Sequence, residues 1–407
     1  MTVSAGITTF QAYPSRAARA THYDLRGPLV RRAEELRAQG RPIIDLNLGD
    51  PAAHGLGAPE PVVRAVRDAL STAESYSGER GTEEAREAVA EHYRCRRGLS
   101  GVTARDTFLG NGVSELASLT LQALLDPGDE VLVPAPGYPV WAAFVTLNGG
   151  TPVPYRCDES DGWLPDITDL SVRAGPRTHA VVAINPNNPT GAVWPTETLR
   201  GMASVARHHG LAVLSDEIRY TRVPHMPLAS LAPDLLCLTF GGLSKFCRLP
   251  GYRAGWMVAT RPAGYGDAYL RTLTRLASLR LCPNVPAQSA VPPALSDASL
   301  TDISRKTAPG GALRWRRDAV YEALAGHPRI HCLKPEGAFY LYLSLRTPLT
   351  DEKFASGLLE TRSVLVTPGS GLGQPDNSHV RLAALAPPSE LRVAARRITG
   401  FLDWTGT

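Results

Sequence analysis

Three short apolar runs in the middle of the chain each end abruptly on a side chain able to do chemistry, and this pattern constrains the fold more than any other feature of the sequence. The first closes on Ala183-Ile-Asn-Pro-Asn-Asn-Pro-Thr-Gly191, the second is Leu211-Ala-Val-Leu-Ser-Asp-Glu217, and the third runs from Leu238 through Gly-Gly-Leu-Ser to Lys245. A short apolar run bounded by polar residues reads as a buried strand, and open α/β sheets keep their ligand sites just beyond the carboxyl ends of such strands. Strand-like runs alternate with helix-like ones from about residue 55 to 290. That alternation is the signature of a mostly parallel sheet covered by helices, so an α/β fold is expected. One connecting helix is clear from Thr196 to His209, with Gly210 as its stop before the strand Leu211 to Ser215.

Lysine occurs only at positions 245, 306, 334 and 353, so basic charge is otherwise carried by arginine. Arginine cannot stand in for an amine that must act as a nucleophile, because the guanidinium stays protonated. Taken alone, a loop lysine is most simply a solvated charge. Lys245 ends the third of three matched strands, which points instead to chemistry. Upstream, the turn Gly110-Asn-Gly-Val-Ser-Glu115 precedes a helix-like stretch, Leu116 to Leu125. The start of that helix offers backbone amides and Ser114 to a phosphate.

The ordered set Asn-Pro-x-Asn-Pro-Thr-Gly, then Ser-Asp-Glu-Ile, then Gly-Leu-Ser-Lys with an arginine eight residues after the lysine resembles the fold type I pyridoxal-phosphate enzymes of the class I/II aminotransferase family. The resemblance implies pyridoxal 5'-phosphate as cofactor. By position Lys245 matches the Schiff-base lysine, Asp216 the carboxylate that keeps the ring nitrogen protonated, Asn188 the donor to the phenolic oxygen, and Arg253 a phosphate ligand. Gly112, Val113, Ser114 and Ser244 join them around the cofactor. Tyr138, in Val133-Pro-Ala-Pro-Gly-Tyr-Pro-Val-Trp141, takes the place of the ring-stacking aromatic, while Trp141 reads as a core residue. One departure stands out. The family reads Asp-Glu-x-Tyr, but this chain reads Asp216-Glu-Ile-Arg-Tyr220, so Arg219 stands where a tyrosine is expected. Tyr220, one place late, would face the opposite way along an extended segment unless a bulge or turn intervenes. Arg219 is therefore placed with the cofactor-binding residues, with a distal carboxylate of the substrate as its alternative partner.

Within the family, Tyr23-Asp-Leu-Arg-Gly-Pro28, Leu46-Asn-Leu-Gly-Asp-Pro51, Cys157-Asp-Glu-Ser160 and the run from Leu276 to Gln288 resemble the bacterial alanine aminotransferase group, with similarity from about Tyr23 to Arg381. That resemblance puts Tyr23, Arg26 and Gly49 on the substrate side with Asn188. It also aligns Arg381, in His379-Val-Arg-Leu-Ala383, with the arginine that clamps the substrate α-carboxylate, a task suited to a forked guanidinium. Tyr76 matches a tyrosine that reaches the phosphate of the neighbouring subunit, so a homodimer with shared active sites is implied. The simpler alternatives are an exposed loop tyrosine for Tyr76 and a surface ion pair for Arg26. A large cofactor domain is expected over residues 55–290 and a smaller one from 21–54 with 291–407, while residues 1–20 read as a flexible arm.

Composition agrees with such an enzyme. At 407 residues and 43% apolar, the chain can bury enough for two domains. Its 43 basic and 39 acidic side chains leave a net charge of +4, too little to point to nucleic acid. No apolar run approaches the roughly 18 residues of a membrane span, and the N-terminus lacks the apolar core of a secretory signal. The six cysteines form no Cys-x-x-Cys pair and no spacing suited to zinc, so no metal is expected and a cytoplasmic setting is. The expected activity is ping-pong amino transfer between an α-amino acid and a 2-oxo acid. Fold alone does not fix which bond breaks, so a lyase, decarboxylase, racemase or oxidase on the same scaffold is the rival. A cofactor-sensing regulator would need a winged helix-turn-helix domain, for which the residues before Tyr23 are too few.

Overall fold

A strand covered by helices on both faces has no solvent side, so its sequence is apolar throughout instead of alternating. The middle of the chain obeys that rule in the computed structural model, which describes residues 12–219 and 226–405. The first strand, β1 (Ile44–Asp45), belongs to a small ladder described below. The next eight are β2 (Thr107–Gly110), β3 (Glu130–Ala135), β4 (Thr151–Asp158), β5 (Leu164–Pro165), β6 (Thr178–Ile184), β7 (Ala212–Asp216), β8 (Cys237–Gly242) and β9 (Gly255–Thr260). They form one sheet in the order β2-β9-β8-β7-β6-β3-β4-β5. Pairing is parallel from β4 through β3, β6 and β7 to β8, while β9 runs antiparallel to both its neighbours and β5 antiparallel to β4. The expected mostly parallel α/β sheet is what the chain forms. Every residue of β8 is buried, as is all of β6 except its second position.

Register sets the position of the site. Ile184 pairs with Asp216, and Asp216 with Phe240, so β6, β7 and β8 finish side by side and their following turns leave from one edge. The connecting helix Thr196–His209 ends at Gly210, whose φ of 66° supplies the left-handed stop anticipated from the sequence, with its N–H bonded back to Ala206 and Arg207.

Beyond β9 the chain builds a second sheet from β10 (Ile330–His331), β11 (Tyr340–Leu345), β13 (Thr367–Pro368) and β14 (His379–Ala383), antiparallel in the order β10-β11-β14-β13. The remaining strand, β12 (Val364–Leu365), pairs in parallel with β1. Here the period is two, because only one face meets the helices. Leu341, Leu343, Val380 and Leu382 enter a core with Phe354, Leu358, Leu391, Ile398 and Phe401. Tyr340, Tyr342 and Arg381 take the other face, which looks toward the large sheet.

Of the expected N-terminal arm, residues 1–11 lie outside the described residues. The part that is described contains a short helix, Arg16–Ala20, capped by the Ser15 side chain. Among the described residues no helix is long and apolar enough to cross a membrane.

Candidate active site

The shared edge of β6, β7 and β8 opens into a cavity of about 450 Å³ whose walls also include Tyr340 from β11 and Arg381 from β14. Lys245 lies in the turn after β8 and is half-buried. Its Nζ donates to the Gly49 carbonyl oxygen at 2.5 Å. Only glycine suits position 49, since a Cβ there would come within 2.5 Å of the Tyr340 hydroxyl and 2.7 Å of the Phe339 ring. Burial, reinforced by the charges of Arg219 and Arg381 against the opposing pull of Tyr340 and Asp50, holds the Lys245 amine below the ordinary lysine pKa.

Asp216 closes β7 and is only 3% exposed. Its carboxylate accepts hydrogen bonds from Trp141 Nε1 and from the Ile218 backbone N–H, each at 3.2 Å. Trp141 is thus a core residue, as the sequence suggests, packed edge-on against Phe240, and also a donor to the buried acid. Sequence reasoning missed that second role because Trp141 and Asp216 lie 75 positions apart and meet only in three dimensions.

Arg381 sits mid-strand and is 3% exposed. Its Nη1 donates to Asn188 Oδ1 at 3.0 Å, and its Nη2 to the Asn47 carbonyl at 2.7 Å and to Thr367 Oγ1 at 3.1 Å. The Thr367 hydroxyl in turn donates to the Asn47 side chain. The guanidinium lies 4.7 Å from the centre of the Tyr340 ring. Burial acts to raise the Tyr340 phenol, yet Lys245, Arg381 and Arg219 together bring its pKa below the usual tyrosine value. Asn47, Thr367 and Tyr340 were not singled out from the sequence. Asn47 lies in the segment Leu46 to Pro51 noted above, and strand alternation puts Tyr340 on the cleft face, but neither signal says what they touch.

At the other end of the cavity the helix Val113–Leu124 begins at Gly112, φ 88°, with no side-chain cap. The N–H groups of its first turn are therefore unclaimed by a capping side chain, which is what an anion requires. Val113, Ser114 and Ser244 line the cavity here. Arg253 spans the opening, its Nη1 bonded to the Pro250 carbonyl at 2.9 Å and its Nη2 to that of Asn111 at 3.3 Å. A Cβ on Gly112 would run into that guanidinium.

Four buried donors in and beside the cavity have no hydrogen-bond partner among the described residues: Asn188 Nδ2, Arg219 Nε, Arg219 Nη1 and Arg381 Nε. Unspent buried donors are costly, and a cluster of them beside two cations and an uncapped helix start fits a ligand bearing several negative oxygens. Pyridoxal phosphate is such a ligand, and the same cavity holds an amine, Lys245, and a carboxylate, Asp216.

At the mouth, the hydroxyls of Tyr23 and Tyr138 meet at 3.2 Å. Burial pushes the Tyr138 phenol up, with Tyr23 adding to it. Arg26 lines the same opening and is exposed. Tyr76 is elsewhere, 78% exposed and outside the lining of its own chain's cavity. Tyr220 lies outside the described residues.

Comparison with known proteins identifies the family. The chain matches the family described as "Aminotransferase class I and II" over residues 41–398. It is 45% identical over 389 residues to the alanine aminotransferase of Mycobacterium tuberculosis (strain ATCC 25618 / H37Rv), spanning 93% of this chain and 90% of that protein. It is 40% identical to the glutamate-pyruvate aminotransferase of Escherichia coli (strain K12), spanning 94% and 95%. Among solved structures, an aminotransferase from Escherichia coli superposes with a TM-score of 0.93 at 39% identity, over 97% of this chain and 99% of that one. The alanine aminotransferase from Pyrococcus furiosus does so with a TM-score of 0.90 at 34% identity, over 96% and 100%.

Proposed function

Because the chain belongs to the class I and II aminotransferase family, we propose that Lys245 moves the substrate proton, Arg381 binds the α-carboxylate, and alanine or glutamate is among the amino donors. The family uses pyridoxal phosphate, and the chain is a fold type I aminotransferase that moves an amino group between an amino acid and a 2-oxo acid. The observation that carries the residue roles is the meeting of Lys245, Asp216 and Arg381 in one cavity, delivered by two different sheets.

When bound, the cofactor supplies an electron sink for the charge released as the substrate Cα–H bond breaks. Asp216 makes that sink effective by holding a proton on the ring nitrogen, while Trp141 and the Ile218 amide fix the carboxylate in place. Nη1 of Arg381 keeps a second N–H and its Nε is unspent, so the guanidinium retains donors for a carboxylate while Asn47, Asn188 and Thr367 orient it. Lys245, whose depressed pKa eases its way to the neutral amine, takes the Cα proton and returns it. Gly112, Val113, Ser114, Ser244 and Arg253 hold the phosphate, and Asn188 and Tyr138 meet the ring. Tyr23, Arg26, Tyr138 and the Gly49 segment cover the substrate and keep water out.

The same reading takes Tyr76 as a residue offered to the partner's phosphate in a cytoplasmic homodimer. It also takes 55–290 as the large domain and 21–54 with 291–407 as the small one.

The test is to mix the holoenzyme with single amino acids in the absence of any oxo acid. Amino transfer should stop after one equivalent of 2-oxo acid per site, with a matching change in cofactor absorbance. Continued turnover, carbon dioxide release, racemisation or oxygen uptake would instead identify one of the rival chemistries.

A further inference from the structure

Arg219 is a buried cation of the cavity with two nitrogens that find no hydrogen-bond partner among the described residues. It follows the end of β7 by three residues, and its side chain is 2% exposed. Those nitrogens are Nε and Nη1. The acid facing it is Asp216, whose Oδ1 lies 3.9 Å from Nη1, beyond hydrogen-bonding distance. That carboxylate is already engaged by Trp141 and Ile218. Glu217, the next acid in the chain, points to a second cavity that Arg219 also borders, and there it is paired with Arg97 at 2.6 Å. Nor is Arg219 free to swing into water. Its guanidinium lies 5.6 Å from the Tyr138 ring centre and 5.9 Å from that of Tyr340, a geometry in which cation–π attraction holds it. A guanidinium desolvated in this way, beside Lys245 and Arg381, is sustained when an anion arrives to meet it.

The loaded site brings three kinds of anionic oxygen. The phosphate has its place at the start of the helix Val113–Leu124, and the substrate carboxylate has Arg381. The third is the oxygen on the cofactor ring. In pyridoxal phosphate that oxygen sits on the carbon next to the one bearing the aldehyde, with the ring nitrogen two atoms further round. A ring whose aldehyde meets Lys245 and whose nitrogen meets Asp216 therefore presents its oxygen to the wall between those residues, on the side away from the phosphate. Arg219, 3.9 Å from Asp216 and close enough to Lys245 to shift its charge, belongs to that wall.

We propose that Arg219 is a positively charged donor to the cofactor's ring oxygen, acting beside Asn188 in place of the neutral tyrosine expected at this position. A fixed charge there keeps the oxygen ionised and makes the adjoining lysine–cofactor linkage give up its proton at lower pH than a neutral donor would. The resting holoenzyme is then poised to receive an amino acid as its ammonium form, the form that prevails at neutral pH. This inference rests on the cofactor reading of the cleft and is independent of which amino acid is the donor.

The experiment is a pH titration of the visible absorbance of the holoenzyme without substrate, comparing the parent with Arg219→Tyr and Arg219→Gln. Two neutral replacements are used so that a folding defect in one does not remove the test. The midpoint should rise by about one pH unit or more in both, equivalent to ~1.4 kcal/mol per unit. A neutral variant that binds the cofactor with an unchanged midpoint overturns the assignment. So does an unchanged spectrum coupled to selective loss of dicarboxylic donors, which would make Arg219 a reader of the substrate's second acid. Because the readout needs no turnover, its failure is distinguishable from failure of the amino-transfer reading.

Discussion

Asp216 and Lys245 stand at or just beyond the ends of β7 and β8, where ladder pairing is finishing, whereas Arg381 occupies the centre of β14 with Tyr342 of β11 opposite it on one side and Thr367 of β13 on the other. A side chain at a strand end projects into a turn, where only a few neighbours depend on it. A side chain in mid-strand is fixed by two ladders, and Arg381 also ties together Asn47, Asn188 and Thr367. On the proposed roles, the large sheet contributes the groups that act on the cofactor and substrate, while the small sheet contributes a recognition group that is also part of its architecture.

Substituting Lys245 by Ala should have the largest effect, lowering turnover by about 10⁴-fold or more, in line with loss of a positioned proton carrier. Thermal unfolding should barely change, and a marked drop in stability would break the contrast between the sheets. Asp216→Ala should come next, slowing Cα proton removal by roughly 10² to 10³-fold with a smaller loss of cofactor affinity. Equal losses in both would mean that the carboxylate anchors the cofactor more than it tunes it. For Arg381→Ala, binding of α-amino acids should weaken by about 2 to 5 kcal/mol, and unlike Lys245→Ala this variant should also unfold at lower temperature. Amines without an α-carboxylate should be spared, so parallel losses on both substrate kinds would assign Arg381 to folding alone.

The smallest expected effect sharpens the comparison on β14 itself. His379, two residues from Arg381 and on the same face, is 1% exposed. Its Nε2 lies 3.1 Å from Glu159 and its Nδ1 3.0 Å from Asp376, with His331 also 3.7 Å from Glu159. Burial works against the charged imidazole, but the hydrogen bonds and charges of Glu159 and Asp376 prevail and raise its pKa above 6.5. A raised pKa means that the contribution to stability is fully present below about pH 6.5 and is lost as pH rises through the folded value. Unfolding measured across that range should show stability falling with pH in the parent and a flatter profile in His379→Gln.

Much of this was legible from the sequence because strand ends carry local signatures. An apolar run closing on Asp216 or on Ser244-Lys245 announces both the element and the group it presents, and Gly112 announces a helix start open to an anion. The support around those groups was not legible. Trp141 reaches Asp216 across 75 positions of sequence, and Asn47 reaches Arg381 across 334. Such contacts follow from sheet order and from the packing of one sheet against the other, which no local pattern encodes. Arg219 lies between these cases, since its oddity was visible in the sequence, whereas its unpartnered nitrogens are a property of the folded site.

The scarcity of lysine has a practical corollary for covalent labelling. Lys306 and Lys334 are held near Asp302 and Asp318, at 3.3 Å and 3.6 Å, so each is engaged in an ion pair. Lys245, by contrast, is held below the ordinary value of 10.5 by its surroundings and opens onto a cavity. A small acylating reagent used at neutral pH on cofactor-free protein should therefore modify Lys245 ahead of Lys306 and Lys334, which makes the cleft addressable for a spectroscopic tag.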